Sequence, residues 1–140
     1  MSLHMPLMTW NKKCSVGVRV LDEDHKKLIG FINELYDAIQ SGRGKESLGK
    51  ILDSLVEYVK THFAREEEFF ARTKYAEAAA HKKEHDELTK QVLEAQKKYK
   101  AGANGTLSLE LMNFLKNWLV THLQASDGKY GPHLNSKGIH

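Results

Sequence analysis

Residues 48–69, LGKILDSLVEYVKTHFAREEEF, decide the fold. Their apolar positions recur every three or four residues, which is the spacing of one face of an α-helix. The face is formed by Leu48, Leu52, Leu55 and Val59, and it continues into His62, Glu66 and Phe69. A polar group on a buried face is costly unless it is paired. The stretch therefore predicts a long helix that carries a histidine and a carboxylate into the protein core.

Three further segments have the same helical periodicity. The four predicted helices span residues 22–40, 45–72, 76–100 and 108–124. Glycine-containing sequences, SGRG and AGANG, follow the first and third of them, as expected where helices end. Four amphipathic helices with short connections predict an all-α protein, an up-down-up-down four-helix bundle.

The segments outside the predicted helices complete one domain. We expect a single domain over residues 1–140, with an extended N-terminal arm at 1–20, the bundle at 22–127 and a tail at 128–140. The tail contains Tyr130-Gly131-Pro132, a sequence typical of turns. The sequence therefore predicts a turn and a loose end after the last helix.

Composition narrows the class of protein. The net charge of +3 is too small to favour a nucleic-acid binder that acts through a basic patch. Cys14 is the single cysteine, which excludes an intramolecular disulfide. The first residues contain no apolar block long enough for an export or membrane segment. We expect a cytoplasmic protein without membrane insertion and without a nucleic-acid partner.

The eight histidines are the unusual feature of the composition. Five of them continue the predicted apolar faces: His25, His62, His81, His85 and His122. Helix starts and helix ends alternate along an up-down bundle. His25, His81 and His85 lie at helix starts, whereas the other two lie late in their helices. All five are therefore expected at the same end of the bundle as Glu66.

Five imidazoles and a carboxylate in a core indicate a metal site, because buried polar groups need partners. Imidazole and carboxylate without an inward cysteine suit iron, zinc, copper or manganese. Six or seven such ligands are too many for one tetrahedral zinc ion, so a carboxylate-bridged pair of metals fits better. No metal-binding role is predicted for the other polar residues. Glu67 and Glu68 are expected to face solvent, and Asp22 and Asp24 are expected to be N-terminal helix charges. His4, His133 and His140 are expected to lie outside the helices.

Four motifs occur in order along the chain. They are DEDH at 22–25, HFAREE at 62–67, HKKEH at 81–85 and HLQASD at 122–127. With these motifs the chain resembles the hemerythrins over residues 8–132, most closely the single-domain bacterial hemerythrins, and myohemerythrin is a known up-down bundle. It departs from the family at Asp24, where glutamine is common.

The resemblance implies a non-haem di-iron centre with an oxo or hydroxo bridge. The implied ligands are His81, His85 and His122 on one iron, His25 and His62 on the other, and Glu66 and Asp127 bridging both. The second iron then keeps an open position for dioxygen. The implied function is reversible oxygen binding for storage, transport or delivery, without catalysis. Ile29, Val59 and Leu119 are candidates for an apolar wall around the site.

Other functions remain open at this stage: a di-iron oxidase, peroxidase or nitric oxide reductase, or an oxygen-sensing module. Di-iron enzymes of ferritin-like bundles carry Glu-x-x-His pairs, and no glutamate precedes any of the five core histidines by three residues. The oxygen-binding interpretation is therefore preferred. We expect a monomer, with an oxygen-consuming enzyme as one candidate recipient.

The separation of His122 from Asp127 carries a structural prediction. Five residues of ideal α-helix turn through roughly 500°, which would leave the two side chains about 140° apart. Both cannot then reach one metal pair. We therefore predict that the fourth helix departs from α geometry between these residues, through a π-type turn or a helix end.

Overall fold

The computed structural model describes residues 8–10, 15–102, 106–122 and 128–140. Five helices occur in these ranges, and the described residues include no strand. The helices are α1 (Arg19–Gln40), α2 (Gly44–Thr73), α3 (Ala78–Lys100), α4 (Leu107–Thr121) and α5 (Gly128–Ser136). The predicted all-α class is confirmed, and the four predicted helices begin and end within a few residues of these bounds.

The four long helices form a ring of neighbours. α2 packs against α1 and α3, and α4 packs against the same two helices. Each helix contributes the apolar face expected from its periodicity, because that face is the surface it can remove from water. The fully buried residues at the centre of this core include Ile32, Leu35, Leu48, Leu55, Leu88, Val92, Leu115 and Leu119. The structure is thus the predicted four-helix bundle.

The described part of the N-terminal arm lies against α1. The backbone N–H of Met8 donates to Asn33 Oδ1 at 2.9 Å, and Asn33 Nδ2 donates back to the carbonyl of Met8 at 2.8 Å. Lys26 lies over the ring of Trp10, 4.4 Å from its centroid. Asp22 lies in the first turn of α1, as predicted for an N-terminal charge, and accepts the backbone N–H of Val16 at 2.8 Å.

The prediction of a loose C-terminal tail was wrong. Residues 128–136 form α5, whose Tyr130 and Leu134 are fully buried in a second apolar cluster with Leu21 and Phe70. The pair at spacing four gives this short helix one apolar face. A turn-forming Gly-Pro sequence does not prevent helix formation when burial of that face stabilises it. His133, expected outside the helices, lies in α5 and contacts the carbonyl of Thr73 through Nε2 at 3.0 Å.

None of the helices within the described ranges combines the length and the apolar character needed to cross a membrane.

Candidate metal centre

Six of the seven predicted ligands come together at one end of the bundle, and all six are buried. They are His25, His62, Glu66, His81, His85 and His122. Glu66 occupies the middle of the group, and its side chain is 0% exposed. Its Oε1 lies 2.6 Å from Nε2 of His62 and 3.6 Å from Nε2 of His25. The first carboxylate oxygen therefore faces the histidines of α1 and α2.

The other carboxylate oxygen faces α3. Glu66 Oε2 lies 2.9 Å from Nε2 of His81 and 3.2 Å from Nε2 of His85. Glu66 and these two residues form one possible metal-binding group with His122, and Glu66 forms another with His25 and His62. Within each group the candidate ligand atoms lie within 4.8 Å of one another. One carboxylate is thus shared between a three-histidine group and a two-histidine group.

The seventh predicted ligand, Asp127, lies outside the described residues. α4 ends at Thr121, and His122, the last residue described before the gap, still has αR backbone angles (φ −66°, ψ −47°). The predicted departure from α geometry between His122 and Asp127 therefore falls outside the described residues and stays a prediction. The position of Asp127 relative to the two groups stays a prediction.

Carboxylates also contact the outer nitrogens of the histidines. His62 Nδ1 donates to Asp24 Oδ2 at 2.9 Å, and Arg65 donates to the same oxygen. The prediction that Asp24 is an N-terminal helix charge was therefore incomplete, because the residue is buried and accepts a hydrogen bond from His62. Its position directly before His25 gave no signal of this contact, because the partner is on another helix.

Two further histidines have outer carboxylates. His85 Nδ1 lies 3.4 Å from Glu67 Oε2, and His122 Nδ1 lies 3.6 Å from Glu84 Oε1. Glu67, expected to face solvent, is instead only partly exposed and turned toward His85. Such outer partners select the tautomer that leaves Nε2 free to bind a metal. The donor set of inward imidazole nitrogens around one carboxylate therefore fits a non-haem metal centre.

Aromatic rings enclose the histidines. Phe63 stacks on His85 with ring centroids 3.8 Å apart, and Trp118 stacks on His122 at 4.1 Å. Tyr58 stacks on His62 at 5.3 Å. The residues expected to form an apolar wall, Ile29, Val59 and Leu119, are all buried in the adjoining core. These surroundings exclude water and keep the local dielectric low.

The carboxylate and the imidazoles of the site change one another's pKa. Burial raises the pKa of Glu66, but the charge of His62 and the histidine hydrogen bonds outweigh burial and hold the pKa well below its ordinary value. Burial lowers the pKa of His62, yet Glu66 and the hydrogen bond to Asp24 raise it above the ordinary value. Glu66 is therefore anionic, which is the form that binds metal.

Tyr130 is a site neighbour that the sequence analysis did not identify. Its hydroxyl donates to Glu66 Oε1 at 3.4 Å, and its ring lies 5.4 Å from that of His81. The residue belongs to α5, which was expected to be a loose end. The available signal was its place in the DGKYG sequence at 127–131, which also resembles the hemerythrin pattern.

Fold and site together define a four-helix bundle with a buried histidine and carboxylate metal centre. The sequence profile of the Hemerythrin HHE cation binding domain matches residues 16–134. The chain belongs to the hemerythrin family.

Relatives and solved structures agree with this assignment. A bacteriohemerythrin of Methylococcus capsulatus is 38% identical over 133 residues, which cover 94% of this chain and 100% of that protein. A hemerythrin-like protein of Naegleria gruberi is 32% identical over 86% of this chain and 88% of its own length. A crystal structure of wild-type hemerythrin superposes with a TM-score of 0.82 at 37% identity, covering 91% of this chain and 98% of that one.

Proposed function

We propose that this chain binds dioxygen reversibly at a non-haem di-iron centre, for oxygen storage, transport or delivery. The observation that carries the proposal is the position of Glu66, whose two oxygens face two different groups of histidines. A carboxylate with that placement can bridge two metal ions. Imidazole-rich ligand sets of this kind suit iron, copper or zinc better than magnesium or calcium, and membership of the hemerythrin family favours iron.

The proposed ligand roles follow the two groups. The three-histidine group would hold one iron and the two-histidine group the other, with carboxylates and an oxo or hydroxo group shared between the two ions. The residues are His81, His85 and His122 for the first iron, His25 and His62 for the second, and Glu66 and Asp127 as bridges. The two-histidine group would supply its iron with one protein ligand fewer, which would leave room there for a small molecule.

Ferrous iron held in this way supplies the electrons for reversible oxygen binding. The chain's own contribution is to orient the ligands and to exclude water. Glu67 lies within hydrogen-bond distance of the outer nitrogen of His85, and Glu84 lies 3.6 Å from that of His122. Phe63 and Trp118 cover the rings of the same histidines. Proton and water entry, which would convert the bound pair to an inert oxidised form, is hindered by these contacts.

We propose binding rather than catalysis for a chemical reason. Among the described residues, Glu66 is the carboxylate that contacts the inward histidine nitrogens. Di-iron proteins of the ferritin type use several more carboxylates, including Glu-x-x-His pairs. A site dominated by neutral imidazole favours retention of oxygen over its cleavage. We further propose a monomeric, cytoplasmic protein that can supply an oxygen-consuming enzyme.

The test is an anaerobic titration of the reduced protein with oxygen. Protein prepared with iron should contain about two iron ions per chain. Oxygen should produce a visible absorption band, saturating at one oxygen molecule per pair of irons, and removal of oxygen should abolish it without use of reductant. Repeated oxygen consumption in the presence of an electron donor, without a stable coloured complex, would favour the oxidase instead. Iron content near one per chain would contradict the paired site.

The His133→Ala variant is a matched control for the histidine ligands. His133 is a partly buried histidine of α5 whose Nε2 lies 3.0 Å from the Thr73 carbonyl and which is not one of the clustered histidines. Its replacement should leave iron content and the oxygen titration unchanged, whereas His62→Ala should impair both.

A further inference from the structure

The contact between Asp24 and His62 differs from the other carboxylate contacts of the site. Asp24 Oδ2 is 2.9 Å from His62 Nδ1, and the Asp24 side chain is 7% exposed. The corresponding distances are 3.4 Å for Glu67 with His85 and 3.6 Å for Glu84 with His122. Those two glutamates are 37% and 35% exposed. The shortest of these contacts, with the most buried carboxylate, therefore belongs to the two-histidine group.

Burial makes this contact stronger than its counterparts. A hydrogen bond between an imidazole N–H and a carboxylate is charge-assisted, and low surrounding dielectric strengthens it. A partly exposed carboxylate is screened by water and has more freedom to move. The imidazole of His62 is thus held at both ends, by Asp24 at Nδ1 and by Glu66 at Nε2.

Arg65 completes the arrangement from the solvent side. It is one turn from His62 on α2, its side chain is 32% exposed, and it donates to the same oxygen of Asp24 that accepts from His62. A buried carboxylate is stable as an anion only when it is paired and hydrogen-bonded. Arg65 therefore keeps Asp24 charged and in place without occupying the metal site.

We infer that Asp24, held by Arg65, is a positioning residue that fixes His62 with Nε2 inward and strengthens it as a metal ligand. The two-histidine group has one imidazole fewer than its neighbour, and a more basic His62 compensates for part of that difference. Outer carboxylates raise the basicity of a ligating imidazole in this way. The inference rests on the proposed function only in that the two-histidine group holds a metal.

The first experiment compares metal retention in Asp24→Asn and Glu67→Gln proteins. Both substitutions keep the side-chain size and remove a carboxylate from behind a histidine. During titration of iron-loaded protein with a chelator, Asp24→Asn should lose one of its two iron ions at about tenfold lower chelator concentration than the unchanged protein. Glu67→Gln should show a smaller shift. Asp86→Asn, which removes an exposed carboxylate paired with Lys82, should show none.

A second measurement separates positioning from general destabilisation. In zinc-loaded protein with ¹⁵N-labelled histidine, the Nδ1 proton of His62 should appear far downfield and exchange slowly with water. In Asp24→Asn it should move upfield and exchange faster, while the His85 signal is unchanged. Arg65→Gln should reproduce part of this change, and Arg65→Lys should restore the signal because it returns a cation.

Two results would overturn the inference: equal iron retention in Asp24→Asn and the unchanged protein, or an unaltered His62 signal in that variant. If Asp24→Asn does not fold, the Arg65→Gln and Arg65→Lys pair decides by the same two measurements. The outcome is separable from that of the proposed function. Loss of one iron in Asp24→Asn, together with no reversible oxygen complex in the unchanged protein, would support the positioning role and contradict the oxygen-binding function.

Discussion

Replacement of Glu66 by alanine is the most informative perturbation, because this carboxylate is shared by both histidine groups. It is fully buried and lies 2.6 Å from His62 Nε2 and 2.9 Å from His81 Nε2. Removing one partner from a buried charged cluster costs about 3–5 kcal/mol. The lower end applies here, since the histidines can become neutral. A loss of about 3 kcal/mol should lower the melting temperature of metal-free protein by about 10 °C.

Glu66→Ala should also cause the loss of at least one of the two metal ions. Without the shared carboxylate, the two-histidine group keeps two imidazoles and loses its central anion. Metal analysis of Glu66→Ala protein grown with iron should give at most about one iron per chain, compared with about two in the unchanged protein. Because a metal that binds only the folded state stabilises it, the difference in melting temperature should be larger for iron-loaded than for metal-free samples.

Glu68→Ala is the matched control, two residues further along α2. Glu68 is exposed to solvent, so its removal should change stability by no more than about 0.5 kcal/mol and leave iron content unchanged. The reasoning is refuted if Glu66→Ala retains both irons, or if the melting temperatures of the two alanine variants are the same.

Four other changes have defined outcomes. Gly131→Ala would place a Cβ 2.1 Å from the carbonyl oxygen of Val16, so urea unfolding should show a loss of about 1–3 kcal/mol. At Gly30, in the middle of α1, an added Cβ would have no neighbour within 4 Å. Gly30→Ala should therefore stabilise the protein by about 0.5–1 kcal/mol in the same assay. Leu119→Ala opens the fully buried wall of the site, and decay of the visible oxygen band should be faster than in the unchanged protein. Burial raises the pKa of Asp24, but its two hydrogen-bond donors, His62 and Arg65, bring the pKa below the ordinary value of an aspartate. The stability it contributes is therefore present above that value and is lost as the pH falls through the lower folded pKa. The difference in unfolding free energy between Asp24→Asn and the unchanged metal-free protein should shrink when urea titrations are moved from pH 6 to about pH 3.

Local sequence patterns were sufficient to predict the four-helix bundle. A helix with an apolar face at spacings of three and four has one way to remove that face from water, which is to pack it against similar helices. The long helix that carries Leu48, Leu55 and His62 was predicted for this reason and is found as α2. Its histidine and glutamate lie on the same face by helical geometry, before any tertiary contact is considered.

Tertiary contacts determined the parts that the sequence analysis missed. Asp24 is on α1 and its partners His62 and Arg65 are on α2, so no local spacing connects them. Tyr130 reaches Glu66 only because α5 packs against Phe70 and Leu21. A nine-residue segment is too short to be stable as an isolated helix, and its sequence alone favoured a turn.

The sequence by itself determined which residues face the core, because helical periodicity is a property of the local chain. It therefore determined that five histidines and a carboxylate meet at one end of an all-α bundle. Only the tertiary structure decided how the oxygens of Glu66 divide between His62 and His81, and which carboxylate lies behind which imidazole. These contacts depend on how each helix is rotated and packed against its neighbours. Rotation and packing arise from contacts between residues distant in the chain, so the periodicity of the sequence does not predict them.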